Sequence, residues 1–247
     1  EARCTVTSGG AVFRVGLLPV AEFPSIDSGR GEESCEIEAG VLATLLRAVA
    51  YAADDPKRRP DLAGVCICAD GDGLWAQATD GHRMATARTG GAFPFPKVVV
   101  PSSRVDLILR VLDQAPSATA ILFQARGALC VQLGGIYLSV QCLASQFPDL
   151  SAVLPAEDAW LGTVLTDGAA LVAAMRRMKS VAAGNLDGVG VDLDIKTDRI
   201  DLSAQGEIGD GKETVEGEYD GTPMIVRANV DYLLDAIGAA TGDGAAV

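Results

Sequence analysis

The chain has 247 residues, 49% of them hydrophobic, and its 33 acidic against 20 basic side chains give a formal charge of −13. That length makes one large domain or two ordinary ones with ample core, and the acidic balance argues against gripping nucleic acid by bulk charge, though not against a local basic face. No apolar run approaches a membrane span and no basic-then-apolar leader opens the chain; a single histidine and six cysteines without a Cys-x-x-Cys pair argue against a zinc site.

A soluble, cytoplasmic protein without metal or other cofactor is expected, with reduced thiols suited to that compartment. Opening on Glu1 rather than Met, the chain reads as cut or processed at its N-terminus. Two strands, Arg3–Thr7 and Ala11–Val15, flank the turn Ser8-Gly9-Gly10, and a tail from Leu17 to Pro24 follows. The polar, Gly-rich stretch 28–34 is a boundary candidate. Cys35–Glu38 reads as a strand. Leu42, Leu45, Leu46 and Val49 at helical spacing predict an amphipathic helix over Val41–Ala53. Asp54–Asp61 is a charged, proline-bounded loop. Strands are expected at Ala63–Ala69, Leu74–Ala78, Met84–Arg88 and Val98–Val100, then a helix over Arg104–Gln114 capped by Ser102 or Ser103. Three more strands follow: Ala118–Gln124, Ala128–Leu133 and Ile136–Leu143. Cys66 and Cys68, two apart on a strand, face the same side and read as buried thiols.

The stretch Ala78-Thr79-Asp80-Gly81-His82-Arg83-Met84-Ala85 organises the chain. Asp-Gly supplies the bend between two antiparallel strands. A hairpin needs Asp and Gly; it does not need the chain's one histidine and an arginine beside them. The plain alternative is a solvated polar tip.

The pattern then restarts. Leu62-Ala63-Gly64-Val65 returns as Leu186-Asp187-Gly188-Val189, Phe23-Pro24-Ser25-Ile26 as Phe147-Pro148-Asp149-Leu150, and Val105-Asp106-Leu107-Ile108-Leu109 as Val230-Asp231-Tyr232-Leu233-Leu234, while helix Val41–Ala53 has its counterpart in Gly168–Val181. Each unit of about 124 residues is strand, helix, several strands, helix, several strands. Residues 34–155 form a complete unit, 1–27 resemble the end of one, and 158–247 its front part.

These residues carry a resemblance. The turn at 78–85, Phe147-Pro148-Asp149 with Val153-Leu154-Pro155, Leu62-Ala63-Gly64-Val65, and Tyr232-Leu233-Leu234-Asp235-Ala236 together resemble the bacterial sliding clamp, the β subunit of DNA polymerase III. The resemblance implies an α+β DNA-clamp fold, with outer antiparallel sheets and inner helices, in a head-to-tail homo-oligomeric ring. Residues 1–27 would be the last strands of a first clamp domain, 34–155 a complete middle domain and 158–247 the front of a third. It also implies a processivity factor of DNA replication with no catalytic site of its own. Its partners would be double-stranded DNA bound without sequence preference, the polymerase III catalytic subunit, the clamp loader and other proteins carrying a clamp-binding motif. With both end units incomplete, residues 1–27 of one molecule could supply strands to residues 158–247 of a neighbour.

Two surfaces would carry that function. The first is a basic helical face: Arg47, Lys57, Arg58, Arg59, Arg104, Arg110, Arg176, Arg177 and Lys179, nine of the 20 basic residues, fall on the helices or the loop after the first of them. Ordinary solvated helix faces would look the same. The second is a pocket for short peptides: by resemblance Leu62, Thr79, Gly81, His82, Arg83, Met84, Pro148 and Val153, with Met84, Leu62 and Val153 as floor and His82 and Arg83 as polar rim. Two departures stand out: Ala152 occupies a position that is often basic in the family, and the Met-Pro-rich strand that completes the pocket is missing, Leu18-Pro19-Val20 being its counterpart in another unit.

An enzyme would have to use His82 as base, yet the chain has no Gly-x-Ser-x-Gly elbow, dinucleotide fingerprint or phosphate loop. Asp70-Gly71-Asp72-Gly73 starts like a calcium loop, but its twelfth position is Gly81. The other reading is a clamp-like peptide-binding scaffold that does not encircle DNA.

Overall fold

The computed structural model describes residues 2–22, 34–150, 152–155, 159–182, 190–207 and 209–240. Phe23–Ile26, all of the 28–34 linker but Ser34, and Leu186–Val189 lie outside them. Fifteen strands and four α-helices are formed among the described residues, an α+β architecture.

Strands β1 (Arg3–Ser8) and β2 (Ala11–Gly16) form a hairpin by themselves, with Val6, Val12, Phe13 and Val15 exposed. The tail beyond it makes a short 3₁₀ turn at Val20–Glu22.

The middle unit runs β3 (Ser34–Glu38), α1 (Ala39–Ala50), β4 (Gly64–Ala69), β5 (Gly73–Thr79), β6 (Met84–Gly90), β7 (Val98–Pro101), α2 (Ser102–Leu112), β8 (Thr119–Ala125), β9 (Ala128–Leu133) and β10 (Ile136–Gln141). Its two antiparallel sheets have the orders β6-β5-β4-β7 and β10-β9-β8-β3. Leu42, Leu45, Leu46 and Val49 of α1, and Val105, Ile108, Val111 and Leu112 of α2, meet both sheets in one core around Ile67, Leu74, Leu122 and Val131. Both helix starts differ from expectation. Helix α1 begins two residues early because the Ala39 and Gly40 N–H groups donate to the Ala118 and Pro116 carbonyls at 2.9 and 2.7 Å. That cap comes from across the fold and leaves no local signal. Ser102 and Ser103 lie inside α2 and cap nothing; Pro101 precedes the helix with no side-chain cap.

The third unit repeats the order: β11 (Val164–Thr166), α3 (Gly168–Ala182), β12 (Gly190–Ile195), β13 (Arg199–Gly206), β14 (Gly209–Tyr219), β15 (Met224–Asn229) and α4 (Val230–Ala240). Its β14-β13-β12-β15 run matches β6-β5-β4-β7 strand for strand. The helix starts correct the repeat's register: α2 begins at Ser102 directly after β7 and α4 at Val230 directly after β15, so counted from those starts Val105 corresponds to Leu233 rather than Val230. The opening strands differ too: β3 joins β8, whereas β11 joins β14. Helices α1 and α2, α3 and α4, and across the units α1 and α4, are neighbours. No helix among the described residues is long and apolar enough to cross a membrane.

A smaller cluster lies on the other side of the β4 sheet: Cys66, Val99, Phe147 and Leu150 are buried, with Cys68, Met84 and Leu143 half-buried beside them. Cys66 and Cys68 do face one side, as their spacing requires. The hydrogen bond with Cys66 holds the Cys68 thiol below its ordinary value, with burial opposing and the Lys97 charge helping, while burial pushes Cys35 up to about 11. Iodoacetamide at neutral pH is therefore expected to alkylate Cys68 well before Cys35. Peptide mapping by mass spectrometry reads this out; equal rates would contradict it.

Candidate functional site

The turn between β5 and β6 is held by its own side chains. Thr79 and Met84 form the last rung of the ladder. Gly81 sits at φ +88°, in the left-handed region that favours glycine. Asp80, 7% exposed, accepts from the His82 and Arg83 N–H groups, both at 2.9 Å. The Thr79 hydroxyl donates to the Arg83 carbonyl at 2.7 Å and accepts from the Gly81 N–H at 3.1 Å. Burial raises the Asp80 pKa, but the two backbone donors and the Arg83 guanidinium outweigh it and hold the carboxyl below its ordinary value.

This turn walls a cavity of about 440 Å³ lined by Arg59, Asp61, Leu62, Thr79, Gly81, His82, Arg83, Met84, Gln146, Pro148, Leu150 and Val153. All eight residues picked out for a peptide pocket border this one cavity, brought from the 59–62 loop, the β5–β6 turn and the 146–153 segment. Leu62 and Leu150 are buried and Met84 half-buried, giving an apolar floor; Val153 is exposed at the mouth. His82 is exposed at the rim.

Two side chains fall elsewhere than their sequence positions suggested. Arg59, assigned to the basic face, lines this cavity and pairs with Asp61 at 3.2 Å. Arg83 borders the cavity, but its guanidinium is held by Asp80, the Tyr51 carbonyl and Asp235. Asp61, Gln146 and Leu150 also line the cavity and were not picked out. Leu150 had a signal, since it belongs to Phe147-Pro148-Asp149-Leu150, the counterpart of Phe23-Pro24-Ser25-Ile26; Asp61 and Gln146 had none.

The basic residues are mostly engaged. Arg47 bridges to Asp113 at the end of α2 at 2.6 Å, and Arg58 to the buried Asp54 at 3.2 Å. Arg177 reaches Glu213 on β14, and Lys179 reaches Asp231 on α4 at 2.5 Å. Among the described residues Lys57, Arg104, Arg110 and Arg176 form no ion pair.

Two family models match the chain: the central domain of the DNA polymerase III beta subunit over residues 36–149, and its C-terminal domain over 151–247. A curated beta sliding clamp from Synechococcus elongatus is 29% identical over 245 residues, covering 97% of this chain and 65% of that protein. The beta sliding clamp of Caulobacter vibrioides is 28% identical over 250 residues, covering 98% and 66%. A solved DNA polymerase III subunit beta from Pseudomonas aeruginosa superposes with a TM-score of 0.85 at 25% identity, covering 98% of this chain and 66% of that one. The chain thus spans about 65% of the length of the curated relatives it matches.

Proposed function

Because the chain belongs to the DNA polymerase III beta subunit family, we propose that it acts as a sliding-clamp processivity factor. In this reading it encircles duplex DNA as a homo-oligomer and tethers the polymerase, the clamp loader and other motif-bearing proteins through the cavity beside Gly81. It performs no chemistry of its own. Residues 1–27 are the closing strands of a first domain, 34–155 the middle domain, and 158–247 the front of a third.

The observation that supports this best is the convergence of Leu62, Thr79, Gly81, His82, Arg83, Met84, Pro148 and Val153 on one cavity with an apolar floor. An extended peptide with apolar anchors fits such a site: the floor takes the side chains and the rim orients the backbone. The probe is a fluorescein-labelled hexapeptide with leucine and phenylalanine anchors, followed by fluorescence polarisation. Leu62→Asp places a carboxylate on the floor and is expected to weaken it by more than about tenfold. Unchanged affinity would remove the cavity from the reading.

Duplex binding would run along the helical face and the loop beside it, where, among the described residues, Lys57, Arg104, Arg110 and Arg176 form no ion pair. Arg104→Ala with Arg110→Ala is expected to lower retention on duplex DNA and flatten its salt dependence by about two phosphate contacts. The engagement of Arg47, Arg58, Arg59, Arg177 and Lys179 in ion pairs favours the second reading, a peptide-binding scaffold that does not encircle DNA. Retention on circular but not linearised duplex after loading separates the two.

A further inference from the structure

We infer that Arg83 is the tie that fastens helix α4 of the third unit to the middle unit, and so positions the pocket turn rather than contacting the peptide.

All three guanidinium nitrogens are committed. Nε donates to Asp80 Oδ2 at 3.1 Å, one terminal nitrogen to Asp235 Oδ2 at 2.7 Å, and the other to the Tyr51 carbonyl at 2.9 Å. The flat faces are occupied as well, with the Tyr51 and Tyr232 ring centroids 5.4 and 4.5 Å from the guanidinium carbon. The side chain is 20% exposed. A guanidinium engaged at every nitrogen, with three of its five N–H donors used, and flanked by two rings is held in one orientation by the protein itself.

Its partners come from three places: the turn itself, Tyr51 directly after α1, and α4. Asp235 and Tyr232 belong to α4, and neither lines the cavity. The backbone of Arg83 is locked as well, since its carbonyl accepts from Thr79 Oγ1 and from the Asp80 N–H, and its own N–H reaches Asp80 Oδ1. Side chain and turn therefore move as one body. A change in where α4 sits shifts the turn, and through it the rim at Gly81 and His82. The burial that would lower the Arg83 pKa is outweighed by Asp235 and Asp80, which is what a permanent ion-pair tie produces.

The positioning half of this inference rests on the peptide-pocket reading; the fastening half does not. The test uses Asp235→Asn and Arg83→Lys in the full chain. Asp235 is half-exposed and off the cavity, so D235N probes the tie without touching the site. Hydrogen exchange of the α4 amides, without peptide, is expected to quicken about tenfold in both variants, and Asp235→Glu to restore much of the protection. The labelled hexapeptide is expected to bind D235N about fivefold more weakly than wild type. Unchanged α4 exchange in both variants would overturn the tie. Faster exchange with unchanged peptide affinity in D235N would overturn the positioning role. If the wild-type chain bound no peptide, the pocket reading would fail, and α4 exchange would still decide the fastening.

Discussion

Asp80→Ala is expected to be among the most damaging single substitutions near the cavity, costing about 3 kcal/mol of stability and abolishing binding of the labelled hexapeptide. Asp80 is 7% exposed and is the acceptor around which the turn is wound. Removing it leaves the His82 and Arg83 N–H groups without their acceptor and strips the half-buried Arg83 of one of its two counter-charges. Asp80→Asn keeps an oxygen for the backbone donors but loses the charge, so it should fall between alanine and wild type. The pH dependence has a definite sign. The folded-state pKa lies below its ordinary value of 3.8, so the stability Asp80 contributes is fully present above that value and is lost as the pH falls through the folded-state pKa. Calorimetric Tm values should therefore converge for wild type and Asp80→Asn in acid and separate toward neutrality. A constant gap at all pH values would show that the charge contributes nothing.

Much of the fold was legible because its signals are local. Alternation placed the strands around Thr79–Arg83, and the spacing of Leu42, Leu45, Leu46 and Val49 placed α1. The recurrence of strand and helix order exposed the repeat. What was not legible depends on partners far along the chain. The first turn of α1 is satisfied by carbonyls at Pro116 and Ala118, so nothing near Ala39 announces a start. The repeat's residue register could not come from short matches, because units of like topology carry loops of different length; the helix starts at Ser102 and Val230 give the equivalence. The eight cavity residues were found by resemblance to a family motif, not by periodicity. Arg83 shows the limit of that route: its position identifies the turn, while the use of its guanidinium depends on Asp235, 152 residues away in sequence.

The cavity's remaining wall depends on a residue that does not line it. Phe147→Ala is expected to cost about 3–5 kcal/mol and to weaken the labelled hexapeptide by more than about tenfold. Phe147 is 5% exposed and packs with Cys66, Val99 and Leu150 against the face of the β4 sheet opposite the main core. Lys97 Nζ donates to its carbonyl at 3.2 Å and lies 5.9 Å from its ring centroid, so both backbone and ring are held. Immediately around it the chain supplies Gln146, Pro148 and Leu150 to the cavity. Upstream, the segment is tied by the Leu143 N–H to the Val99 carbonyl at 2.8 Å; downstream, the turn at Leu150 accepts from the Val153 and Leu154 N–H groups. Between these points Phe147 is the largest buried anchor. Truncating it leaves a void that water cannot fill favourably and frees the wall to move, while the main core around Leu122 and Ile108 is untouched. The far-UV spectrum should therefore persist while Tm and peptide affinity fall together. Phe147→Leu keeps most of the buried volume and should recover most of both. If alanine lowered Tm but left peptide affinity intact, the wall would be held by Leu143 and the Leu150 turn alone, and the cluster beneath it would serve stability without shaping the site.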